Sequence, residues 1–169
     1  NKIPRFKPPL VISVHGIRTR ARWQRPLRKI LKDKGIPYEA YNFGYYSVIK
    51  FLFQPFNDKM VDRFYDFYSL LMEKMGNKVQ LDKQNKRSSI IVHSFGAYIV
   101  GYCMLKNPDV KFDKIILCGS ILPPDFDWET LIRRGQVNMV RHEFGIYDIW
   151  AKIVGRFVPK TGDSGYRGF

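Results

Sequence analysis

Acidic residues are scarce in this sequence of 169 residues. Aspartate and glutamate together number 15 against 29 lysines and arginines, which gives a formal net charge of +14 at pH 7. Such an excess attracts anionic partners such as lipid head groups, nucleic acid or a phosphorylated substrate, although a basic but inert surface would have the same composition. The shortage of acids therefore leaves two interpretations open, which are an anionic partner and an inert basic surface.

Cysteine is nearly absent, and the two that occur, Cys103 and Cys118, lack the spacing of a metal centre or a redox pair. We expect buried free thiols in a reducing compartment and hence a cytoplasmic protein, with attachment to the periphery of a membrane as the alternative. A glycine-rich phosphate loop, zinc-ligand spacing and an RNA-binding aromatic signature are also lacking. The sequence therefore predicts no metal, nucleotide or other cofactor.

Short apolar runs typical of buried strands alternate with stretches whose apolar residues recur at helical spacing. Strands are predicted at 10–14, 38–43, 90–93, 112–118 and 137–142, and helices at 23–31, 60–75, 95–106, 128–133 and 146–154. Strands that alternate with helices pair in parallel, with helices on both faces of the sheet. The predicted fold is therefore α/β, with a mostly parallel sheet of about five strands and, at 38–43, a strand near the sheet edge.

The two ends of the sequence bear on whether it is part of a longer chain. The sequence does not begin with methionine, its last ten residues form a glycine-rich polar tail, and its length fits one domain. We expect residues 1–169 to be a single domain that belongs to a longer chain. Residues 88–105 are almost apolar enough to cross a membrane, but the polar residues in their middle and the change from strand to helix period favour a buried strand and helix.

A serine stands at the junction of a predicted strand and a predicted helix. Residues 90–97 are Ile-Ile-Val-His-Ser-Phe-Gly-Ala, so Ser94 directly follows the strand. A serine at such a tight turn presents its hydroxyl as a nucleophile, and the residue two positions later has to be small, as Gly96 is. Val92 occupies the position where the Gly-x-Ser-x-Gly pattern has its first glycine.

Polar groups also follow the first and the last predicted strands. His15 and Gly16 end the first strand, and their turn can aim a backbone N–H at a developing oxyanion. Asp148 comes six residues after His142, beyond the last strand. Because the functional residues of open parallel sheets collect beyond the carboxyl ends of the strands, we expect these groups and Ser94 at one edge of the sheet.

These segments resemble the motifs of α/β-hydrolases of the lipase and esterase type. The matching residues are 14–16, 93–96 and 144–148, and the resemblance extends over roughly residues 10–150. It implies a small-molecule substrate with an ester, thioester or related acyl bond. It also implies roles for four residues, which are the nucleophile Ser94, the acid Asp148 that orients the base, and the oxyanion-hole N–H groups of Ile17 and Phe95.

The general base is the component that this sequence does not show. The family places its histidine on a loop after one further strand, and no such strand is predicted, so we expect a histidine outside this segment. His142 is the alternative base, although a partly buried strand histidine would look the same. His15 and His93 are expected to be structural. Asp125 and Asp127, after the preceding strand, are the alternative acids.

Two further features each have a functional and a structural interpretation. The apolar residues around Pro55 either cap an acyl site or pack as a connecting loop; they are Phe51, Leu52, Phe53 and Phe56. A basic cluster either attracts an anionic substrate or an anionic lipid surface, or forms a solvated helix face. Its members are Arg18, Arg20, Arg22, Arg25, Arg28, Lys29, Lys32 and Lys34.

The sequence thus predicts a serine hydrolase that acts on an acyl bond through Ser94. The alternative is a catalytically inactive hydrolase-like module that binds or senses a ligand or a partner protein, or a partner domain from the rest of the chain. Nucleic-acid binding by the basic face is disfavoured, because no readout element accompanies the charge.

Overall fold

The computed structural model describes residues 8–17, 21–44, 51–78, 87–143, 158, 160–162 and 164. Strands and helices alternate along these residues, which confirms the predicted α/β class. The strands are β1 (Val11–Val14), β2 (Tyr38–Tyr41), β3 (Ser88–His93), β4 (Phe112–Cys118) and β5 (Val137–Glu143). The helices are α1 (Gln24–Asp33), α2 (Gln54–Lys78), α3 (Phe95–Lys106) and α4 (Trp128–Arg133).

The five strands form one sheet in the order β2-β1-β3-β4-β5, and every neighbouring pair is parallel. The predicted sheet is confirmed, and β2 lies at its edge. The chain adds β2 on one side of β1 and all later strands on the other side, so right-handed crossovers put α1 on one face and the later helices on the opposite face. The strand order reverses between β1 and β3, which is where open α/β sheets bind ligands, beyond the carboxyl ends of the strands.

The core lies between this sheet and α3. Ile12 and Val14 of β1 stand in register with Ile90 and Val92 of β3, and all four side chains are fully buried. Helix α3 is apolar on nearly all sides because it packs against α2 as well as the sheet. No helix in the described ranges is both long and apolar enough to cross a membrane.

Helix α2 is longer than its apolar pattern predicts. It begins at Gln54 and ends at Lys78, whereas the predicted helix spans 60–75. Pro55 lies in the first turn, where its missing N–H is not needed. The buried Asn57 side chain donates to the Phe51 carbonyl oxygen at 2.8 Å, which fixes the chain where it enters the helix. Part of the predicted connecting loop at 51–56 is therefore the start of α2.

The predicted polar tail packs against the body of the protein where it is described. Val158 and Ser164 are buried, and the Tyr102 hydroxyl donates to the Lys160 carbonyl oxygen at 2.7 Å. The backbone N–H of Gly162 donates to the Ile121 carbonyl oxygen at 2.8 Å. The described residues of the predicted tail therefore contact the rest of the protein. The predicted helix at 146–154 lies outside the described residues.

Candidate active site

Ser94 occupies a sharp turn between β3 and α3. Its φ of 52° and ψ of −117° are rare for a residue with a Cβ. Backbone strain of this kind costs on the order of 1–3 kcal/mol and is concentrated at functional sites. The Ser94 N–H donates to the Cys118 carbonyl oxygen at 3.0 Å, and its own carbonyl oxygen accepts from the Ala97 N–H at 2.9 Å. One residue therefore ends the β3–β4 pairing and begins the helix.

Two glycines allow the end of β1 to touch this turn. A Cβ added at Gly96 would lie 2.7 Å from the Val14 carbonyl oxygen, and a Cβ at Gly16 would lie 2.8 Å from the Ser94 Cβ. Both distances are shorter than side chains tolerate, so only glycine fits either position. Val92 packs into the core in register with Val14. The close approach thus depends on Gly16 and Gly96. Val92, which occupies the position of the first glycine in the usual pattern, points into the core instead.

The two residues predicted to supply oxyanion donors both adjoin Ser94. Phe95 is the first residue of α3, where backbone N–H groups have no partner within the helix and the helix dipole is positive. Its buried ring packs against the rings of Phe43 and Phe51, with centroids 6.1 and 5.0 Å away. Ile17 directly follows Gly16 and is half-buried against the core. The backbone at both positions is thus held close to the Ser94 turn.

His15 is buried beside the same turn. Its Nδ1 lies 2.7 Å from the Gly16 carbonyl oxygen, and its Nε2 lies 3.3 Å from the Asn42 Oδ1. The ring stacks on Phe43 with a centroid distance of 4.0 Å. Asn42, at the carboxyl end of β2, belongs to no recognisable motif, and the sequence analysis missed it. The predicted strand at 38–43 included Asn42, whereas the observed β2 ends at Tyr41 and leaves Asn42 at its carboxyl end.

The alternative base lies away from Ser94. His142 in β5 pairs with Leu117 of β4, which in turn pairs with Val92 of β3. Two strand spacings amount to about 10 Å, whereas a general base works within about 3 Å of the hydroxyl. Burial lowers the pKa of His142 below its ordinary value, although Glu143 partly opposes the shift. The sheet register therefore separates His142 from Ser94.

The candidate acids differ in their surroundings. Asp127 accepts a hydrogen bond from the Thr130 N–H at 2.9 Å and so caps α4. Hydrogen bonds from the side chain and the backbone of Thr130 hold the pKa of Asp127 below its usual value. Asp125 is exposed. Asp148, the acid that the resemblance implies, lies outside the described residues.

The exposed surface includes apolar residues next to Phe51 in the sequence and basic residues on helix α1. Phe51 packs on Phe95, while the neighbouring Leu52, Phe53 and Phe56 have exposed side chains. Helix α1 has no acidic residue in its first turn. Its basic residues and those at its two ends are exposed; they are Arg22, Arg25, Arg28, Lys29, Lys32 and Lys34. Arg18 and Arg20 lie outside the described residues.

The described residues hold no group of three or more side chains that could bind a metal ion. The thiols of Cys103 and Cys118 are free, and burial raises the pKa of Cys103 to about 12, so that thiol is a poor nucleophile. Among the described residues, Ser94 is thus the candidate nucleophile with the most favourable placement. Compared with known proteins, the chain matches no protein-family model and no curated protein.

Proposed function

We propose that the chain is a serine hydrolase domain of the α/β-hydrolase type, which cleaves an ester, thioester or related acyl bond with Ser94 as its nucleophile. The observation that carries the proposal is the backbone of Ser94, with φ 52° and ψ −117° between a buried strand and a buried helix. A serine held in this way exposes its hydroxyl at the carboxyl edge of the sheet, as in the nucleophile turn of that family.

In the proposed reaction the Ser94 Oγ attacks the acyl carbonyl carbon, and the oxygen of the tetrahedral intermediate becomes negative. The N–H groups of Ile17 and Phe95 stabilise that oxygen, and one such donor is worth about 10²- to 10³-fold in kcat. A histidine outside this segment takes the serine proton and passes it to the leaving group, while Asp148 orients that histidine. Water then hydrolyses the acyl-enzyme by the same steps.

The surroundings of Ser94 support an apolar acyl group as part of the substrate. Phe95 directly follows Ser94 and its ring packs on Phe51, and the exposed Leu52, Phe53 and Phe56 are close to Phe51 in the sequence. The basic residues of α1 are suited to an anionic group on the substrate or to the surface of an anionic membrane. Two free thiols favour a reducing, cytoplasmic location at which such a membrane surface would be met.

One observation favours the second candidate, an inactive module that binds a ligand or a partner protein. Among the described residues, His142 lies two strands from the nucleophile and the Nδ1 of His15 donates to a carbonyl oxygen. Neither is placed to take the Ser94 proton. The binding module and the hydrolase therefore differ in whether another part of the protein supplies a base.

The deciding experiment is labelling with a fluorophosphonate probe, which reacts with activated serines. It is carried out on this segment and on the full-length chain, each with a Ser94→Ala variant. Ser120→Ala is the matched control, because Ser120 also follows a strand but is fully buried. Labelling of the full-length chain that Ser94→Ala alone abolishes supports the hydrolase. Folded protein that does not label in either form refutes it and leaves the binding module.

A further inference from the structure

The side chain of His15 makes its shortest contact with the backbone of the next residue. Its Nδ1 lies 2.7 Å from the Gly16 carbonyl oxygen, and the residue is only 1% exposed. A carbonyl oxygen can only accept a hydrogen bond, so Nδ1 carries a proton and donates it. The geometry thus fixes which ring nitrogen of His15 is the donor in this contact.

That hydrogen bond acts on the peptide unit that contains a predicted oxyanion donor. The Gly16 carbonyl and the Ile17 N–H belong to one planar unit, and in a trans peptide they point in opposite directions. Glycine is the residue with the widest backbone freedom, so the orientation of this unit needs an outside constraint. Holding the Gly16 oxygen therefore also sets the direction of the Ile17 N–H.

We propose that His15 is a positioning residue of the oxyanion hole, which orients the Ile17 N–H toward the reacting carbonyl by holding the Gly16 oxygen. The inference rests on the proposed function of Ser94 as a nucleophile. It assigns His15 no contact with the substrate and no proton transfer. Its effect is to keep one donor oriented before the charge develops, which is the condition under which such donors accelerate a reaction.

The ring of His15 is itself held from the side of β2. It stacks on Phe43 with an interplanar angle of 20°, and its Nε2 lies 3.3 Å from the Asn42 Oδ1. The Gly44 N–H donates to that same oxygen at 2.8 Å, so the oxygen is an acceptor. In a neutral ring with its proton on Nδ1 the Nε2 is an acceptor too, so the stacking on Phe43 is what holds the ring on this side. Phe43 also packs against Phe95. The ring of Phe43 therefore contacts His15, which holds the peptide unit of the Ile17 N–H, and Phe95, which supplies the other N–H.

Two variants separate positioning from packing. In His15→Asn the amide nitrogen stands at the place of Nδ1 and can still donate to the Gly16 oxygen, although stacking on Phe43 and the reach to Asn42 are lost. His15→Leu fills a similar volume without any donor. Both variants lose the contacts of the ring, and only the leucine variant loses the hydrogen bond.

The experiment measures kcat, KM and thermal stability of the full-length chain with a p-nitrophenyl ester, with Ser94→Ala as the reference. We expect His15→Leu to lower kcat about 100-fold with KM changed by less than threefold, and His15→Asn to keep kcat within tenfold of the wild type. Both variants should lose a similar amount in melting temperature. This pattern is one that a purely structural role would not produce.

Equal loss of kcat in the two variants would overturn the positioning role while leaving the hydrolase proposal intact. If His15→Leu does not fold, His15→Asn decides, because a loss greater than tenfold in the folded protein contradicts the proposal and a smaller one supports it. If Ser94→Ala hydrolyses the ester as fast as the wild type does, or neither hydrolyses it, the proposed function fails and the role of His15 fails with it.

Discussion

Gly16 and Ser94 are in contact across the boundary between β1 and β3. A Cβ at Gly16 would lie 2.8 Å from the Ser94 Cβ and 3.0 Å from the Nδ1 of His93. The contact depends on the parallel register of the two strands, in which Val14 pairs with Val92. The turn after β1 and the turn after β3 therefore pack directly against each other. We expect a substitution in one turn to displace the backbone of the other.

The first prediction concerns the variant Gly16→Ala. The added methyl group pushes the turn after β1 away from Ser94, so we expect the rate of fluorophosphonate labelling to fall about 100-fold, as for the loss of one oxyanion donor. Gly135→Ala is the matched control. Gly135 has a φ of +62° with nothing within 4 Å of an added Cβ, so that variant should lose about 1 kcal/mol of stability from backbone strain alone and label normally. Equal labelling of the two variants would show that the contact has no role.

The second prediction concerns the strain at Ser94 itself. Glycine adopts a positive φ without steric penalty, so Ser94→Gly should be more stable than Ser94→Ala by about 1 kcal/mol. For a chain of this length that difference raises the melting temperature by about 2–4 °C. Neither variant should label with the probe. A glycine variant that melts below the alanine variant would mean that the backbone of Ser94 is not strained in the folded protein.

Much of the fold could be predicted from local patterns. The bounds of α3, β4 and α4 agree with the sequence because each is a periodic apolar run between clear turn residues. The start of α2 at Gln54 could not be predicted from a local pattern. Its first turn contains Pro55 and exposed apolar residues, and its start is fixed by Asn57, whose side chain contacts residue 51.

Less of the candidate site could be predicted, because it depends on strand order. The junction at Ser94 is visible locally as a strand, a small turn and a helix. The distance of His142 from that junction follows from the presence of β4 between β3 and β5, which no local pattern encodes. The contact of His15 with Asn42 likewise arises because β1 pairs with β2.

The third prediction tests His142 through pH. Because burial lowers the pKa of His142 below its ordinary value of 6.5, the unfolded chain takes up a proton there more readily than the folded protein does. The resulting stability is present above pH 6.5 and is lost as the pH falls through the lower pKa of the folded state. In His142→Gln the free energy of unfolding, measured with urea, should therefore decline less between pH 7 and pH 5. Its labelling at Ser94 should equal that of the wild type, and slower labelling in a folded variant would restore His142 as a base.

The fourth prediction concerns alkaline stability. Burial raises the pKa of Cys103 from 9.0 to about 12, so the folded state holds the thiol proton more tightly than the unfolded state. The stability from this group is complete below pH 9 and decreases as the pH rises toward 12. Between pH 9 and pH 10 it should decrease by about 1 kcal/mol, and this part of the decline should be missing in Cys103→Ala. Identical slopes for the two proteins in urea unfolding would contradict the prediction.

The hydrogen bond between the Ser94 N–H and Cys118 also has a consequence for how the protein fluctuates. This amide is part of the ladder between two central strands, so it can exchange with deuterium only when that part of the sheet opens. Ser94 would then exchange as slowly as the central strands do, whereas functional loops generally exchange fast.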